Sequence, residues 1–258
     1  MHCTVIGLGE AGVRYATALA AAGHDVQGYD PQAADTPSGV TRAASPEQAV
    51  YGADVVLVLT GAAAARAVAD QCGPALRSGA CYADFTSSAP TTMAEIGAAV
   101  EAAGARFADV AILGPVLVNG AQTPLMVSGS GAADLAALMR GLDAPVEVLD
   151  APPGAAMAHK LLRSVLMKGL ASIVCEAVAA GQAAGYENWI RDQIARQLAG
   201  DGHATIDRFL TGTRLHAERR AHEMHDTVGY LTALGVPAEM SAATEQSLLR
   251  MAAEPRPR

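Results

Sequence analysis

Lys160 lies in the first turns of a long apolar run, 155–184, directly after Ala151-Pro-Pro-Gly154. Its apolar neighbours resist full solvation of an ammonium, and partial burial of that kind brings a lysine toward neutrality. A lysine so tuned can exchange a proton with a hydroxyl or carbonyl oxygen. Ser164 is one helical turn on and can point the same way. A second group, Asp84-Phe-Thr-Ser-Ser-Ala-Pro90, follows a predicted strand, where ligands bind in open α/β sheets. Its Thr86 and Ser87 hydroxyls would face a ligand there. Ser87 or Ser88 would equally suit an N-cap before Pro90. Asp109-Val-Ala-Ile-Leu-Gly-Pro115 offers the Gly114 N–H to a carboxylate, unless it is only a turn. On a predicted helix over 213–234, Arg219 and His222 share a face, as do His216 and Arg220. One such face would supply positive charge for an anion, while Ala221, Met224, Val228 and Leu231 pack inward.

Reactive side chains need a scaffold, and the N-terminus points to one. Val5 and Ile6 run into Gly7-Leu8-Gly9-Glu10-Ala11-Gly12 and an Ala-rich helical stretch. In a strand–turn–helix of this kind, Gly7 permits the turn. Gly9 lets a pyrophosphate reach the backbone, and Gly12 lets helix and strand pack closely. The helix N-terminus adds free N–H groups and a positive dipole end. A second strand (25–29) ends in Asp30, an acid suited to accept the adenosine ribose hydroxyls and to repel a 2′-phosphate. The cofactor-binding set is therefore residues 7–12 with Asp30 and Thr60, and NAD is expected ahead of NADP. Glu10 suits the dipole but would repel pyrophosphate, so its side chain is expected to turn to Arg14.

Strands are predicted at 2–7, 25–29, 54–59, 80–84, 106–111, 124–128 and 146–149, and helices at 10–22, 62–71, 91–103 and 131–141. Val55-Val-Leu-Val-Leu59 has the β-branched continuity of a strand buried on both faces. Gly23, Gly73 and Gly104 stand where C-caps belong. The fold class expected is α/β, a Rossmann doubly wound sheet (1–152) followed by an all-α C-terminal domain (153–258). The apolar run 155–184 reads as a helix buried centrally, with a polar stretch (186–212) and a last helix (238–252) beyond it.

The 258 residues are 51% hydrophobic and 17% charged, which excludes disorder and leaves room for a sizeable core. A net charge of −8 without a basic cluster argues against nucleic acid as a partner. Cys3, Cys72, Cys81 and Cys175 lack metal or disulfide spacing and read as reduced thiols of a cytoplasmic protein. The first strand begins almost at Met1, and no signal peptide is expected. Charges and glycines break the apolar stretches, so no membrane span is expected.

The clusters, in this order, resemble the β-hydroxyacid dehydrogenase family, which includes the 3-hydroxyisobutyrate and 6-phosphogluconate dehydrogenases. Gly7-Leu-Gly-Glu-Ala-Gly12 matches its cofactor loop. Asp84-Phe-Thr-Ser-Ser-Ala-Pro90 is similar to its D-x-S-T-x-x-P, and Gly154-x-Ala156-x-x-x-Lys160 to its G-x-G-x-x-x-K. His222-Glu-Met224 stands where the family often has K-D-L. The resemblance implies Lys160 as catalytic lysine, Thr86, Ser87, Gly114, Ser164, Arg219 and His222 toward an anionic substrate, and a homodimer built through the helical domain. Three positions depart from the pattern. Leu113-Gly114-Pro115 replaces a serine-containing turn, Ser164 an asparagine and His222 a lysine, so the substrate stays open. The activity implied is hydride exchange between NAD(P) and a β-hydroxy acid or related small hydroxylated anion. The alternatives are imine reduction on the same scaffold and a non-catalytic dinucleotide sensor.

Overall fold

In the computed structural model, which describes residues 1–254, strand and helix alternate through the first part of the chain. The order is β1 (His2–Ile6), α1 (Glu10–Ala21), β2 (Asp25–Tyr29), β3 (Val40–Arg42), α2 (Pro46–Val50), β4 (Val55–Val58), α3 (Ala65–Cys72), β5 (Cys81–Asp84) and α4 (Pro90–Ala102). Then come β6 (Arg106–Ile112), α5 (Val116–Asn119), β7 (Leu125–Ser128), α6 (Ala132–Arg140) and β8 (Val146–Val148). The rest is helical: α7 (Ala155–Ala183), α8 (Glu187–Leu198), α9 (Gly202–Leu215), α10 (Ala217–Ala233) and α11 (Glu239–Ala253).

The strands form one sheet in the order β3-β2-β1-β4-β5-β6-β7-β8. Every pairing is parallel except β6 with β7. The order reverses between β1 and β4, the topological switch point at which open α/β sheets bind ligands. Both faces of the sheet are covered. Val55, Leu57, Cys81 and Ala83 pack into one core, and Val56, Val58, Tyr82 and Phe107 into the other. This two-sided burial explains the unbroken apolar strands. It also leaves Asp84, at the carboxyl end of β5, and Asp109, in the middle of β6, fully buried.

Seven strands fall where the sequence predicts them. The eighth, β3, and the short helix α2 do not stand out in it. They follow Pro37-Ser-Gly39, a turn-rich stretch, and are too brief to show a period. Gly23 and Gly104 end α1 and α4 with positive φ, as expected. Gly73 does not: its backbone stays helical and opens a 3-10 turn over Gly73–Ala75. The predicted helix over 213–234 is two elements. A break at His216 separates α9 from α10, and α8 and α9 occupy most of the polar stretch.

The chain divides into compact units at 1–163 and 164–258, inside α7. The Pro-Pro-Gly turn does precede α7, but the first turns of that helix pack with the sheet. Asp109 Oδ2 accepts hydrogen bonds from the N–H groups of Gly154 (2.9 Å) and Met157 (3.2 Å), and Ser128 Oγ accepts one from Ala156 N (3.1 Å). A strand carboxylate thus supplies the acceptor that a helix N-terminus requires.

The expected burial of α7 is corrected. Leu162 is 71% exposed, Val165 76% and Leu166 64%, and Leu161, Met167 and Ile173 are also exposed. Among the described residues these apolar side chains stay uncovered, so hydrophobicity all round the helix marks surface available to another body. Within the second unit, α10 packs on α11 through Ala217, Ala221 and Leu248, with Met224 partly buried beside them, and Leu231 is buried too.

Candidate functional site

The glycine loop is shaped by close approaches. Gly7 has φ +93°, and a Cβ there would lie 2.8 Å from the Leu59 carbonyl oxygen. A Cβ on Gly12 would lie 1.8 Å from the Gly7 carbonyl oxygen, which no side chain survives. Gly9 is different: nothing lies within 4 Å of its Cβ position. The loop therefore keeps an open face above Gly9 at the N-terminus of α1. Gly9 is also the N-cap residue, and no side chain caps the helix there. This is the arrangement a pyrophosphate needs.

Asp30 locks the loop. Its Oδ2 accepts a hydrogen bond from Leu8 N (2.8 Å), and its Oδ1 accepts from Gln32 N (2.8 Å) and Ala33 N (3.2 Å). The carboxylate thus orders the phosphate loop and the turn after β2 together. Arg42, which the sequence reading passed over, donates to the carbonyls of Asp30 (3.0 Å) and Ala33 (2.8 Å). Thr60 follows β4 beside Gly7, and its hydroxyl is buried with no hydrogen-bond partner. An open backbone cradle, an ordered acid and an unused buried hydroxyl fit a dinucleotide. Glu10 does not turn to Arg14: both side chains are exposed and no ion pair joins them, because open solvent on this side of α1 satisfies each alone.

Lys160 is half-buried, and its Nζ donates a hydrogen bond to Ser87 Oγ at 3.0 Å. This contact brings the first turns of α7 to the segment after β5. Ser87 is exposed and can present its hydroxyl outward, whereas Thr86 is 1% exposed. The Thr86 hydroxyl is 2.8 Å from Ser88 Oγ, and its N–H donates to Asp84 Oδ1 (2.8 Å). The structure therefore turns Thr86 inward as a loop brace, because side chains alternate as the chain leaves the strand. The capping role open to Ser87 and Ser88 is not taken up. Ala89 is the N-cap residue of α4, without a side-chain cap.

Beneath this loop, burial pushes the Asp84 carboxyl up to about 6. Hydrogen bonding from Thr86 opposes that rise, and the charge of Asp109 adds to it. Asp109 is raised as well, chiefly by burial, against the hydrogen bonds it accepts from Met157, Ser128 and Gly154.

Gly114 lies in the turn after β6, where a Cβ would be 3.2 Å from Thr123 Cγ2. Ser164 accepts a hydrogen bond from Lys168 Nζ (3.2 Å), one turn along α7. Arg219 and His222 belong to the second unit. There Arg219 is paired with Glu223 of its own helix, Arg220 donates to Thr213 Oγ1 (2.8 Å), and His222 is exposed. The second unit also holds a cavity of about 570 Å³ lined by Ile173, Trp189, Met224, Tyr230 and Met240 among others. Its one carboxylate, Glu176, is used up by Met240 N (2.7 Å), Ser241 N (2.9 Å) and Ser241 Oγ (2.6 Å). Among the described residues no cluster of His, Cys, Asp and Glu could hold a metal ion.

A reversing parallel sheet with an open glycine cradle at its switch point defines a dinucleotide-binding Rossmann protein. Residues 2–143 match the family described as the NAD binding domain of 6-phosphogluconate dehydrogenase, and the chain belongs to that family. Residues 182–251 match a domain of unknown function (DUF1932). No curated protein matches the chain.

Among solved structures, a conserved hypothetical protein from Sinorhizobium meliloti 1021 is 27% identical, with a TM-score of 0.64 over 96% of this chain and 87% of that one. A conserved protein, MTH1747, described as structurally similar to 3-hydroxyacid dehydrogenases, is 24% identical. Its TM-score is 0.66 over 97% of this chain and 96% of that one. An imine reductase variant from Myxococcus stipitatus, in complex with NAD+, is 19% identical, with a TM-score of 0.82 over 96% and 92% of the two chains.

Proposed function

We propose that this chain is an NAD(P)-dependent oxidoreductase acting on a small hydroxylated anion or its carbonyl counterpart, with Lys160 as the proton-exchanging residue. The observation that carries the reading is the Lys160 Nζ to Ser87 Oγ hydrogen bond, at the carboxyl end of a sheet whose switch point holds the glycine cradle. A bound nicotinamide supplies the hydride chemistry. Residues 7–12 would hold its pyrophosphate, and Asp30 its adenosine ribose. Lys160 Nζ, as an ammonium, gives a proton to a substrate oxygen during reduction, and as an amine takes one during oxidation. Ser87 fixes the amine and offers a second hydroxyl contact to the same oxygen. Gly114 remains a candidate for the rest of the substrate, as does Ser164, one turn beyond Lys160 on α7.

Reduction of an imine is the second reading, favoured by the likeness to solved imine reductases. A panel of β-hydroxy acids, their carbonyl products and cyclic imines separates the two. Turnover of C–O substrates that falls at least ~100-fold in Lys160→Met, with NADH affinity kept within about threefold, supports the first. Turnover of imines alone supports the second. No turnover anywhere, with intact NADH binding, leaves a nucleotide sensor.

The exposed face of α7 supports a homodimer. By length and composition this helix could cross a membrane. Its first turns, however, are bonded to Asp109 and Ser128, and Lys160, Arg163 and Lys168 interrupt its apolar surface. A second copy brings the same apolar stripe, which a two-fold axis makes self-complementary.

A further inference from the structure

Two aspartates on adjacent strands, Asp84 at the end of β5 and Asp109 in the middle of β6, have work that the glycine cradle and Lys160 do not explain. Asp84 and Asp109 are paired directly in the register of β5 and β6. Each stands two residues beyond an aromatic of the same core, Tyr82 and Phe107, whose rings are stacked. Side chains alternate along strands, so both carboxylates leave the sheet on that one face. Both are 0% exposed. Asp84 Oδ1 accepts from Thr86 N and Asp109 Oδ2 from three donors, yet Asp84 Oδ2 and Asp109 Oδ1 have no hydrogen-bond partner. Two carboxylates side by side out of water cannot both stay ionised, and one shared proton removes the repulsion. The same proton would satisfy the two orphaned oxygens at once. Asp109 is the member held as a carboxylate, because Ser128 Oγ (3.1 Å), Gly154 N and Met157 N all donate to it. Asp84 therefore carries the proton.

We infer that Asp84 and Asp109 form a buried acid pair sharing one proton, and that this pair is the positioning element for Lys160. Asp84 holds the loop that carries Ser87, and Asp109 holds the first turn of the helix that carries Lys160. The inference rests on the proposed role of Lys160 as the proton-exchanging residue. The other titratable or charged groups described around the pair are few. Tyr82 stands on β5, and Asp70 and Cys72 on α3 act on it; burial raises both the phenol and the Cys72 thiol, so both stay neutral. Lys160 reaches the loop through Ser87, while α4 contributes Met93 and Ile96 to this core.

Isotope-edited infrared spectra of the full chain at pH 5.5 test the pair without substrate. We expect the wild-type minus Asp84→Asn difference to show a protonated carboxylic acid; a carboxylate there would overturn the pair. The positioning role is read from the pH profile of kcat/KM on whichever substrate turns over. The wild type should show an inflection near pH 6 that Asp84→Asn lacks, with NADH affinity kept within about threefold. An inflection that persists in the variant, or cofactor binding lost with it, would overturn the positioning role. If Lys160→Met leaves turnover intact, the proposed function fails and the positioning role with it, while the infrared comparison still decides the pair.

Discussion

Cofactor choice offers the sharpest test of the nucleotide site, and Asp30→Asn is the perturbation. The substitution removes a negative charge and keeps the side-chain shape. Two effects follow, and they are separable. Asp30 accepts three N–H groups through two oxygens, and asparagine has one. One of those contacts is lost, and a hydrogen bond to a charged group contributes ~1.5–3 kcal/mol. That loosens the Leu8 segment and weakens NADH and NADPH alike. The second effect touches NADPH alone. Its 2′-phosphate would sit near the Asp30 carboxylate, and charges ~4 Å apart interact by ~1 kcal/mol in water and ~4 kcal/mol near a protein surface. Asp30 is only partly buried, so the lower end applies, about 1–2 kcal/mol, or about 5- to 30-fold. Fluorescence titration of wild type and variant with both reduced nucleotides gives four affinities. The expected outcome is weaker binding of both, with the NADPH-to-NADH affinity ratio raised by about 5- to 30-fold. A ratio unchanged within about twofold, or a wild type that already prefers NADPH, would refute the assignment of Asp30 as discriminator.

Three further outcomes follow from the same geometry. Gly12→Ala should lower the Tm and abolish NADH binding, whereas Gly9→Ala, which has open space, should keep the Tm within a few degrees and lose only nucleotide affinity; thermal melts with titrations distinguish them. Asp84 is raised to about 6 from 3.8, so the folded state holds a proton that the unfolded chain has lost. Its contribution to stability is full below about pH 4 and is lost as pH rises through about 6. Denaturant unfolding of Asp84→Asn against wild type should show the variant gaining up to ~3 kcal/mol between those limits, and a flat difference would contradict it. Val165→Asp, on the exposed face of α7, should turn a dimer into a monomer by sedimentation velocity; an unshifted wild-type-like dimer would show that another surface joins the copies.

Much of the fold was legible because the strands are buried on both faces. Val55–Val58 and Cys81–Asp84 could be read from apolar continuity alone, whereas Val40–Arg42 could not, being short, partly exposed and preceded by a turn. The glycine loop was legible because its constraints are local: Gly7 and Gly12 each answer to one backbone oxygen. The pairing of Lys160 with Ser87 spans 73 positions and needed the fold. The inward turn of Thr86 was hidden, since the same D-x-T-S spacing serves either orientation. Asp84 and Asp109 did leave a signal, a lone acid among the buried apolar residues of each strand, and its meaning lay in their register. The exposure of α7 was misread because hydrophobicity reports a need for cover without saying which chain provides it.

The four thiols sort themselves by environment. Burial pushes Cys3 up to about 11 and Cys72 and Cys81 up to about 12, while Cys175 is exposed on α7. Alkylating reagents act on thiolates, so the native protein has a single chemical handle, and it stands on the apolar helix. A maleimide dye attached there without any mutation reports directly on that helix, and the rate of its attachment as protein concentration rises measures how long α7 stays uncovered.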